Sequence, residues 1–441
     1  MTLETPTRPA ATADKTATTT TPPSHVRGLR CRACGRPEDL GPSYVCPACF
    51  GPLEVVYDLD VARERLTHAS IAARAPGIWR YLELLPVEHV PERGLAVGST
   101  ALLRADRLAR DLDLGTGTTL HLKDDTRNPT LSFKDRVVAV ATERAVEFGF
   151  DTLACASTGN LAGATAAAAA AAGLRAFVFV PADLEPAKVE HALSYGATVI
   201  RVDGTYDDIN RLSLEIADEE GWAFVNVNLR PFYAEGSKTI AFEIAEQLGW
   251  RLPDVIVGPI ASGSMFTKIA KGFDELVDIG LVEPKDVRFV GGQPAGCAPV
   301  ATAFAEGVDE IRPVRAPDTI VRSLAIGSPA DGGYALDLAR RTEGSIESIP
   351  DAATAAAIRR TATREGIFVE TAGGVTVAAV EAARARGVIR DGDDVVAVLS
   401  GNGVKTPDAR RFGLRDEADP AGGFAEPIPA SYAAFASRYL G

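Results

Sequence analysis

The chain has 441 residues, of which 46% are hydrophobic, and its 46 basic and 59 acidic side chains leave a net charge of −13. This length supports two domains with separate cores, and the negative charge disfavours a nucleic-acid partner bound through its phosphates. The longest apolar run, residues 161–172, is too short and too rich in alanine to cross a bilayer. We therefore expect neither a nucleic-acid partner nor a membrane partner.

Residues 1–57 divide into a polar tail and a cysteine-rich module. Residues 1–27 are rich in Thr, Ala and Pro and lack the apolar core of a secretory signal, so we expect a disordered tail on a cytoplasmic protein. Residues 28–57 contain a C-x2-C-x11-C-x2-C pattern made by Cys31, Cys34, Cys46 and Cys49. This spacing is typical of paired zinc knuckles and predicts a zinc-ribbon-like module with a structural zinc.

Two alternatives to the zinc site stay open for this module. The cysteines could form thiol-rich turns that pack without a metal. Nucleic-acid binding is a second reading, and it is disfavoured because the module lacks a basic stripe and interleaved aromatic residues. The other two cysteines, Cys155 and Cys297, lie in apolar or glycine-rich stretches and are expected to pack rather than react.

Buried strands and amphipathic helices alternate along the rest of the chain, which is typical of parallel βαβ units. Strands are predicted at residues 120–125, 153–156, 176–180, 198–202, 255–257, 287–290 and 395–399, and helices at residues 161–172, 186–195 and 206–219. A further helix begins near Lys134, because Pro129 marks a turn and apolar residues then recur at helical spacing up to Gly149. The sequence therefore predicts an α/β fold.

Lys134 lies in the first turn of that helix, where the helix dipole disfavours a cation and favours the neutral amine. This position suits a lysine that forms a Schiff base. The alternative is a surface lysine paired with its neighbour Asp135. A second cation, Lys123, lies in the strand before the motif and is either a rim residue or part of an anion pocket.

Three loops after predicted strands have compositions suited to a cofactor or an anion. The run 157–160, Ser-Thr-Gly-Asn, precedes a helix, so its hydroxyls and N–H groups indicate an anion site, with plain N-capping as the alternative. In the run 258–265, small residues let the backbone approach a phosphate. The run 400–403, Ser-Gly-Asn-Gly, follows the last strong strand, and an ordinary glycine turn is the alternative there.

These runs resemble motifs of the threonine synthases, within the fold-type-II pyridoxal-phosphate enzymes. Residues 128–136, Asn-Pro-Thr-Leu-Ser-Phe-Lys-Asp-Arg, match the family's Asn-Pro-Thr-x-Ser-Phe-Lys-Asp-Arg motif. The three loops above and the run 235–239, Glu-Gly-Ser-Lys-Thr, also resemble family motifs. Together the five matches cover most of residues 98–405 in the order of the family.

The resemblance implies a fold and a division into domains. The fold would be α/β, with two three-layer αβα domains and pyridoxal phosphate in a cleft between them. The large domain would comprise residues 58–134 and 236–420, the small domain residues 135–235, and a C-terminal extension residues 421–441. A homodimer is the expected assembly.

The resemblance also implies roles for individual residues. Lys134 would carry the cofactor and act as the catalytic base, Asn160 would contact the cofactor's 3-oxygen, and Ser400 would meet its pyridine nitrogen. The cofactor would further be bound by the loop residues Ala261, Ser262, Gly263, Ser264 and Met265. The substrate would be bound by Ser157, Thr158, Lys123 and Arg230.

The activity implied is the conversion of O-phospho-L-homoserine and water to L-threonine and phosphate, by γ-elimination and β-addition of water. Many family members have an arginine two residues before the glutamate of Glu-Gly-x-Lys-Thr, whereas this chain has Tyr233 there. Arg230 is the nearest arginine and is predicted to clamp the substrate phosphate instead. The alternatives are a β-replacing synthase acting on O-phosphoserine, similar to a cysteate synthase, a threonine or serine dehydratase, and a catalytically inactive relative whose cysteine module binds a protein.

Overall fold

The computed structural model describes residues 25–157, 159–182, 184, 186–204, 206–406 and 427–440. These residues form two compact units. The first unit comprises the described residues up to 95 and those of Lys134–Gly236, and the second comprises Ala96–Phe133 and the described residues from 237 onward. Most of the predicted tail and part of the predicted C-terminal extension lie outside the described residues.

Strands and helices alternate as the sequence predicts. The strands are β1 Val26–Cys31, β2 Pro37–Glu38, β3 Leu53–Tyr57, β4 Leu102–Arg104, β5 Thr119–Asp124, β6 Thr152–Ala156, β7 Arg175–Pro181, β8 Thr198–Val202, β9 Ala223–Phe224, β10 Val255–Pro259, β11 Arg288–Pro294, β12 Ser345–Ile349 and β13 Asp394–Leu399. The α-helices are α1 Leu59–Arg65, α2 His68–Ala73, α3 Asp106–Asp111, α4 Lys134–Glu147, α5 Asn160–Ala172, α6 Pro186–Leu193, α7 Tyr206–Glu220, α8 Arg230–Glu235, α9 Lys238–Gln247, α10 Ser264–Asp278, α11 Pro299–Glu306, α12 Gly332–Arg341, α13 Asp351–Glu365, α14 Thr371–Ala385 and α15 Tyr432–Tyr439. Short 3-10 helices lie at Ile78–Leu84, Asp125–Arg127, Ala295–Cys297, Arg322–Leu324 and Gly403–Lys405.

The first unit contains two sheets. The antiparallel sheet of the cysteine module has the order β2-β1-β3, and the second sheet has four parallel strands in the order β8-β7-β6-β9. All five residues of β6 are buried, as expected for a parallel strand that is covered on both faces. Helix α5 follows β6 and ends at Gly173, whose φ of 74° is the left-handed conformation that glycine adopts most readily.

Residues 58–95 belong to the first unit, so the prediction that they join the large domain is wrong. The N–H of Glu88 donates to Oε1 of Glu147, at the end of α4, at 2.7 Å. Nε2 of His25 lies 2.9 Å from the carbonyl oxygen of Leu85. Hydrogen bonds of this kind tie the segment to the first unit, and they join residues that are far apart in the sequence.

The second unit is built on one mixed sheet. Its strand order is β12-β11-β10-β13-β5-β4, with β4 antiparallel at the edge and the other neighbours parallel. The carboxyl ends of parallel neighbours meet at one edge, which is where α/β proteins bind ligands. The residues that follow β10, β13 and β5 therefore lie at the same edge, and they include the runs 261–265, 400–403 and 128–133.

The predicted α/β fold is confirmed, and most predicted strands differ from the observed ones only at their ends. Strand β11 differs most, since it continues through Gly291 and Gly292 instead of ending at residue 290. A β-carbon on Gly291 would lie 2.2 Å from Cδ1 of Ile260, and one on Gly292 would lie 2.8 Å from Cγ1 of Val375. These glycines serve close packing inside a strand, although in the sequence they resemble a turn. Within the described ranges, no helix combines the length and apolarity that crossing a membrane requires.

A buried ion pair lies beside the sheet of the second unit. Nζ of Lys123 is fully buried and donates to Oε2 of Glu243 at 2.6 Å, to Oε1 of Gln247 at 2.9 Å and to the carbonyl oxygen of Thr100 at 2.7 Å. An ammonium group has three hydrogens to donate, and all three are used here. Lys123 is therefore buried and not an exposed rim cation, and substrate binding by Lys123 stays a prediction.

Removing one member of this pair should destabilise the second unit. We expect Glu243→Leu to lower the free energy of unfolding by about 3–5 kcal/mol, because the ammonium of Lys123 would stay buried without its carboxylate. The double variant Lys123→Met/Glu243→Leu should lose less than the sum of the two single variants, since no isolated charge remains. Urea unfolding followed by circular dichroism measures these differences.

An exposed ion pair of the same unit supplies the control for this experiment. Nε of Arg341 lies 3.6 Å from Oδ2 of Asp337, and both side chains are exposed. Asp337→Ala should cost less than about 1 kcal/mol, as is usual for surface pairs. Equal losses for Asp337→Ala and Glu243→Leu would contradict the structural role given to the buried pair.

Candidate active site

The lysine motif places Lys134 at the first position of α4, in the first unit. Its side chain is half-buried, and Nζ donates a hydrogen bond to the phenolic oxygen of Tyr233 at 2.8 Å. The neighbouring Asp135 is only 2% exposed. The alternative reading, a surface lysine, therefore does not describe Lys134.

Helix α8 carries Tyr233 to this lysine. The phenol is 8% exposed, and burial raises the pKa of Tyr233 well above its ordinary value. Gly236 follows α8, and a β-carbon there would lie 2.4 Å from the carbonyl oxygen of Arg136 in the first turn of α4. The hydroxyl of Tyr57 donates to Oε2 of Glu235 at 2.9 Å. The absence of a side chain at Gly236 and the hydrogen bond from Tyr57 to Glu235 together keep α8 against the start of α4.

The sequence pattern assigns Tyr233 no function of its own. Its one signal is a tyrosine at the motif position where many family members have an arginine. Arg230 lies one helical turn earlier on α8 and is half-buried. Its positive charge opposes part of the rise in the pKa of Tyr233, which places the guanidinium in the electrostatic environment of the phenol.

The loop 157–160 holds the start of α5. Oγ of Ser157 accepts hydrogen bonds from the N–H groups of Gly159 and Ala162, each at 3.0 Å, and donates to the carbonyl oxygen of Gly159 at 3.2 Å. A serine hydroxyl has one donor and two acceptor sites, so its capacity is used up locally. These bonds are those of a cap, and substrate binding by Ser157 stays a prediction. Asn160 begins α5 and is partly exposed, while Thr158 lies outside the described residues.

A further cation lies next to this loop. Lys188, on α6, is 7% exposed, and a β-carbon on Gly159 would lie 3.5 Å from its Nζ. Lys188 carries no sequence signal of its own, because a lysine within an amphipathic helix is usually a solvated residue. Its position adds a positive charge beside the start of α5.

The loop 258–265 joins β10 to α10 in the second unit. Gly263 has a φ of 94°, and a β-carbon there would lie 2.7 Å from the carbonyl oxygen of Asp331. The N–H of Asp331 donates to the carbonyl oxygen of Ser262 at 2.8 Å. Met265 is buried and Ala261 packs against the core, so these two residues can meet a phosphate only through their backbone. The N–H groups at the start of a long helix are suited to that.

Ser400 follows β13 at the same edge of this sheet. Its hydroxyl donates to Oε1 of Glu370 at 3.4 Å, and both side chains are 2% exposed. A β-carbon on Gly401 would lie 2.4 Å from the same carboxylate oxygen, so a glycine is required there. The N–H of Phe133 donates to the carbonyl oxygen of Ser400 at 2.9 Å. This bond attaches the first part of the lysine motif to the Ser400 turn within the second unit.

The cysteine module of the first unit brings its four thiols together. All four Sγ atoms lie within 4.8 Å of one another, with Cys31 and Cys49 3.5 Å apart and Cys34 and Cys46 3.8 Å apart. Four thiolates around a tetrahedral zinc at about 2.3 Å are separated by roughly 3.8 Å, so the arrangement fits that ion. A β-carbon on Gly51 would lie 2.9 Å from Sγ of Cys31, and the glycine thus leaves room for the sulfur atoms.

The remaining cysteines are packed, as predicted. Cys155 in β6 and Cys297 are both fully buried. Burial raises the pKa of Cys155 to about 12 and also raises that of Cys297. Both thiols therefore stay protonated and unreactive at neutral pH.

Comparison with known proteins identifies the class. The family model described as "Pyridoxal-phosphate dependent enzyme" matches residues 94–401, which include Lys134 and the loops at 157–160, 258–265 and 400–401. The structure of maize serine racemase superposes with a TM-score of 0.60 at 20% identity, covering 80% of this chain and 95% of that one. At this identity the likeness shows a shared fold. The chain belongs to the pyridoxal-phosphate dependent enzymes.

Two sequence relatives narrow the class. The threonine synthase of Methanocaldococcus jannaschii is 34% identical over 382 residues, which cover 86% of this chain and 93% of that protein. The threonine synthase of Methanosarcina acetivorans is 35% identical over 384 residues, which cover 86% of this chain and 92% of that protein. Within its class, this chain falls in the threonine synthase family.

Proposed function

We propose that this chain converts O-phospho-L-homoserine and water to L-threonine and phosphate, by γ-elimination followed by β-addition of water. The observation that carries the proposal is the half-buried amine of Lys134 at the start of α4, held by the phenol of Tyr233. The two threonine synthase relatives, each matched over 86% of the chain, support the choice of reaction.

The residues present fit pyridoxal phosphate. Lys134 offers an amine, the start of α10 offers N–H groups for the phosphate, Ser400 offers a hydroxyl for the ring nitrogen, and Asn160 offers an amide for the 3-oxygen. When bound, the cofactor supplies an aldehyde that joins to amines and a ring that takes up electrons from the substrate's carbon atoms. A hydroxyl is too weak an acid to keep the ring nitrogen protonated, which suits elimination and replacement at Cβ and Cγ.

Lys134 would perform the proton transfers of the reaction. It would take the proton from Cα of the substrate and then move protons at Cβ and Cγ, while phosphate leaves from Cγ and water adds at Cβ. A proton acceptor has to be a neutral amine, and the start of α4 favours that form because the helix dipole opposes a cation there. The charge of the leaving phosphate would be met by Arg230, which lies on the same helix as Tyr233.

A β-replacing synthase acting on O-phosphoserine is the alternative. Tyr233 occupies the position at which many family members have a phosphate-binding arginine, and this exchange is the observation that favours a different phosphorylated substrate. Both substrates carry an amine, a carboxylate and a phosphate, and they differ by one methylene group. The same lysine chemistry would serve either reaction.

Release of phosphate and threonine from O-phospho-L-homoserine is the deciding measurement. We expect equimolar products from the purified protein loaded with pyridoxal phosphate, and a kcat lower by about 10²–10⁴-fold or more in Lys134→Ala, because the proton-transferring group is removed. Unfolding of Lys134→Ala should match that of the wild type. Consumption of phosphoserine with sulfite, run alongside, in place of O-phospho-L-homoserine would support the alternative. Substantial turnover by Lys134→Ala would overturn both.

Arg230 should determine the affinity for the substrate phosphate. We expect Arg230→Gln to raise the KM for O-phospho-L-homoserine by about 10–100-fold with little change in kcat, because a charge-assisted hydrogen bond of about 1.5–3 kcal/mol is lost equally from the bound substrate and the transition state. Arg211→Gln, which removes an exposed arginine of α7, is the matched control. An unchanged KM in Arg230→Gln would show that the phosphate is bound elsewhere.

We also propose that Cys31, Cys34, Cys46 and Cys49 hold one structural zinc ion. Metal analysis of the purified chain should find about one zinc per chain, and Cys34→Ser or Cys49→Ser should reduce it, because a structural site needs all four ligands. Cys297→Ser changes a buried cysteine outside the module and should leave the metal content unchanged. A full-length protein that folds with no bound metal would contradict the proposal.

The assembly and the location of the protein are proposed on the sequence alone. A homodimer is the expected form because closed two-fold assemblies are the commonest among oligomeric enzymes. The cytoplasm is the proposed compartment.

A further inference from the structure

The contact between Tyr233 and Lys134 goes beyond the family motif. The phenolic oxygen accepts a hydrogen bond from Nζ at 2.8 Å, and Nζ lies 5.5 Å from the centre of the tyrosine ring. The two residues come from α8 and α4 of the same unit, and the absence of a side chain at Gly236 allows these helices to approach each other closely. The arginine that many family members carry at position 233 could not make this bond, because a guanidinium group donates hydrogen bonds and cannot accept them.

A buried phenol can hold a lysine amine in both of its protonation states. It accepts a hydrogen bond from an ammonium group, and it donates its own hydrogen to a neutral amine. Burial keeps Tyr233 neutral, since it raises the pKa of the phenol. A carboxylate in the same place would only accept and would favour the charged lysine. A phenol is thus the better partner for an amine that has to give and take a proton.

We propose that Tyr233 is a positioning residue for Lys134, holding Nζ in place while the lysine gains and loses protons at the carbon atoms of the substrate. This inference rests on the proposed role of Lys134 as the base of the reaction. Residue 233 would then hold Lys134, whereas the arginine that many family members have there would bind the substrate phosphate. In this chain the phosphate would be bound by other cations. Substrate affinity and catalytic rate should therefore respond differently to changes at this position.

Kinetics of Tyr233→Phe provide the first test. We expect kcat for O-phospho-L-homoserine to fall about 10–100-fold, as a misplaced catalytic group does, with little change in KM. Tyr233→Arg should lose kcat in the same way, although it restores the family's residue, because its side chain cannot accept the bond. Tyr44→Phe is the matched control, since it removes a half-buried phenol of the same unit that packs in a core cluster without Tyr233.

The reactivity of Lys134 in the cofactor-free protein provides a test that needs no substrate. Trace acylation with acetic anhydride, read by mass spectrometry across a pH series, gives the pH midpoint at which this amine becomes reactive. The midpoint should fall in Tyr233→Phe, because the bond to the charged form is the stronger one and its loss favours the neutral amine. Cys155 on β6 and Arg230 on α8 act electrostatically on this pair and are present in every variant.

The outcomes separate the inference from the proposed function. An unchanged midpoint in Tyr233→Phe, or a midpoint that Tyr44→Phe shifts equally, would overturn the positioning role. A raised KM with an unchanged kcat would also overturn it and make Tyr233 a substrate ligand, as would a gain of activity in Tyr233→Arg. If the wild-type protein does not turn over O-phospho-L-homoserine, the proposed function fails, and the acylation midpoints still decide the role of Tyr233.

Discussion

The close approach of helix α8 to the first turn of α4 determines where the amine of Lys134 lies. Gly236 permits this approach, because any β-carbon at that position would meet the backbone of Arg136. The hydrogen bond from Tyr57 to Glu235 holds the other side of α8. These contacts are made by backbone and buried groups, so they restrict the helix more than flexible surface side chains would. A reactive amine at the start of α4 gains a fixed partner in Tyr233 as a consequence.

The second unit presents several loops at one edge of its sheet. Its parallel strands β10, β13 and β5 are neighbours, and their carboxyl ends carry the Gly263 loop, the Ser400 turn and the first part of the lysine motif. Backbone hydrogen bonds then hold these loops, since the N–H of Phe133 donates to Ser400 and the N–H of Asp331, which precedes α12, donates to Ser262. Parallel pairing thus does in the second unit what helix packing does in the first, since it brings distant parts of the sequence into one region.

Chemistry that is carried by neighbouring residues could be predicted from the sequence, and chemistry that depends on a distant partner could not. The motif around Lys134 gave its position at the start of a helix, because the turn, the helical spacing and the stop are all local signals. The burial of Lys123 in an ion pair could not be predicted because its partner Glu243 is 120 residues away in the chain. The local bonds of the Ser157 hydroxyl could not be predicted for another reason, because the same four residues can bind an anion or close their own turn.

The buried and half-buried lysines of this protein differ in the chemical nature of their partners. Lys123 and Lys238 are fully buried, and each meets a buried carboxylate, Glu243 at 2.6 Å and Glu275 at 2.7 Å. A carboxylate partner stabilises the ammonium and so removes the lysine from acid–base chemistry. Lys134 instead donates to a phenol, which bonds an amine whether or not it is charged. The chemical nature of the partner therefore separates the two lysines paired with carboxylates from Lys134, the proposed base.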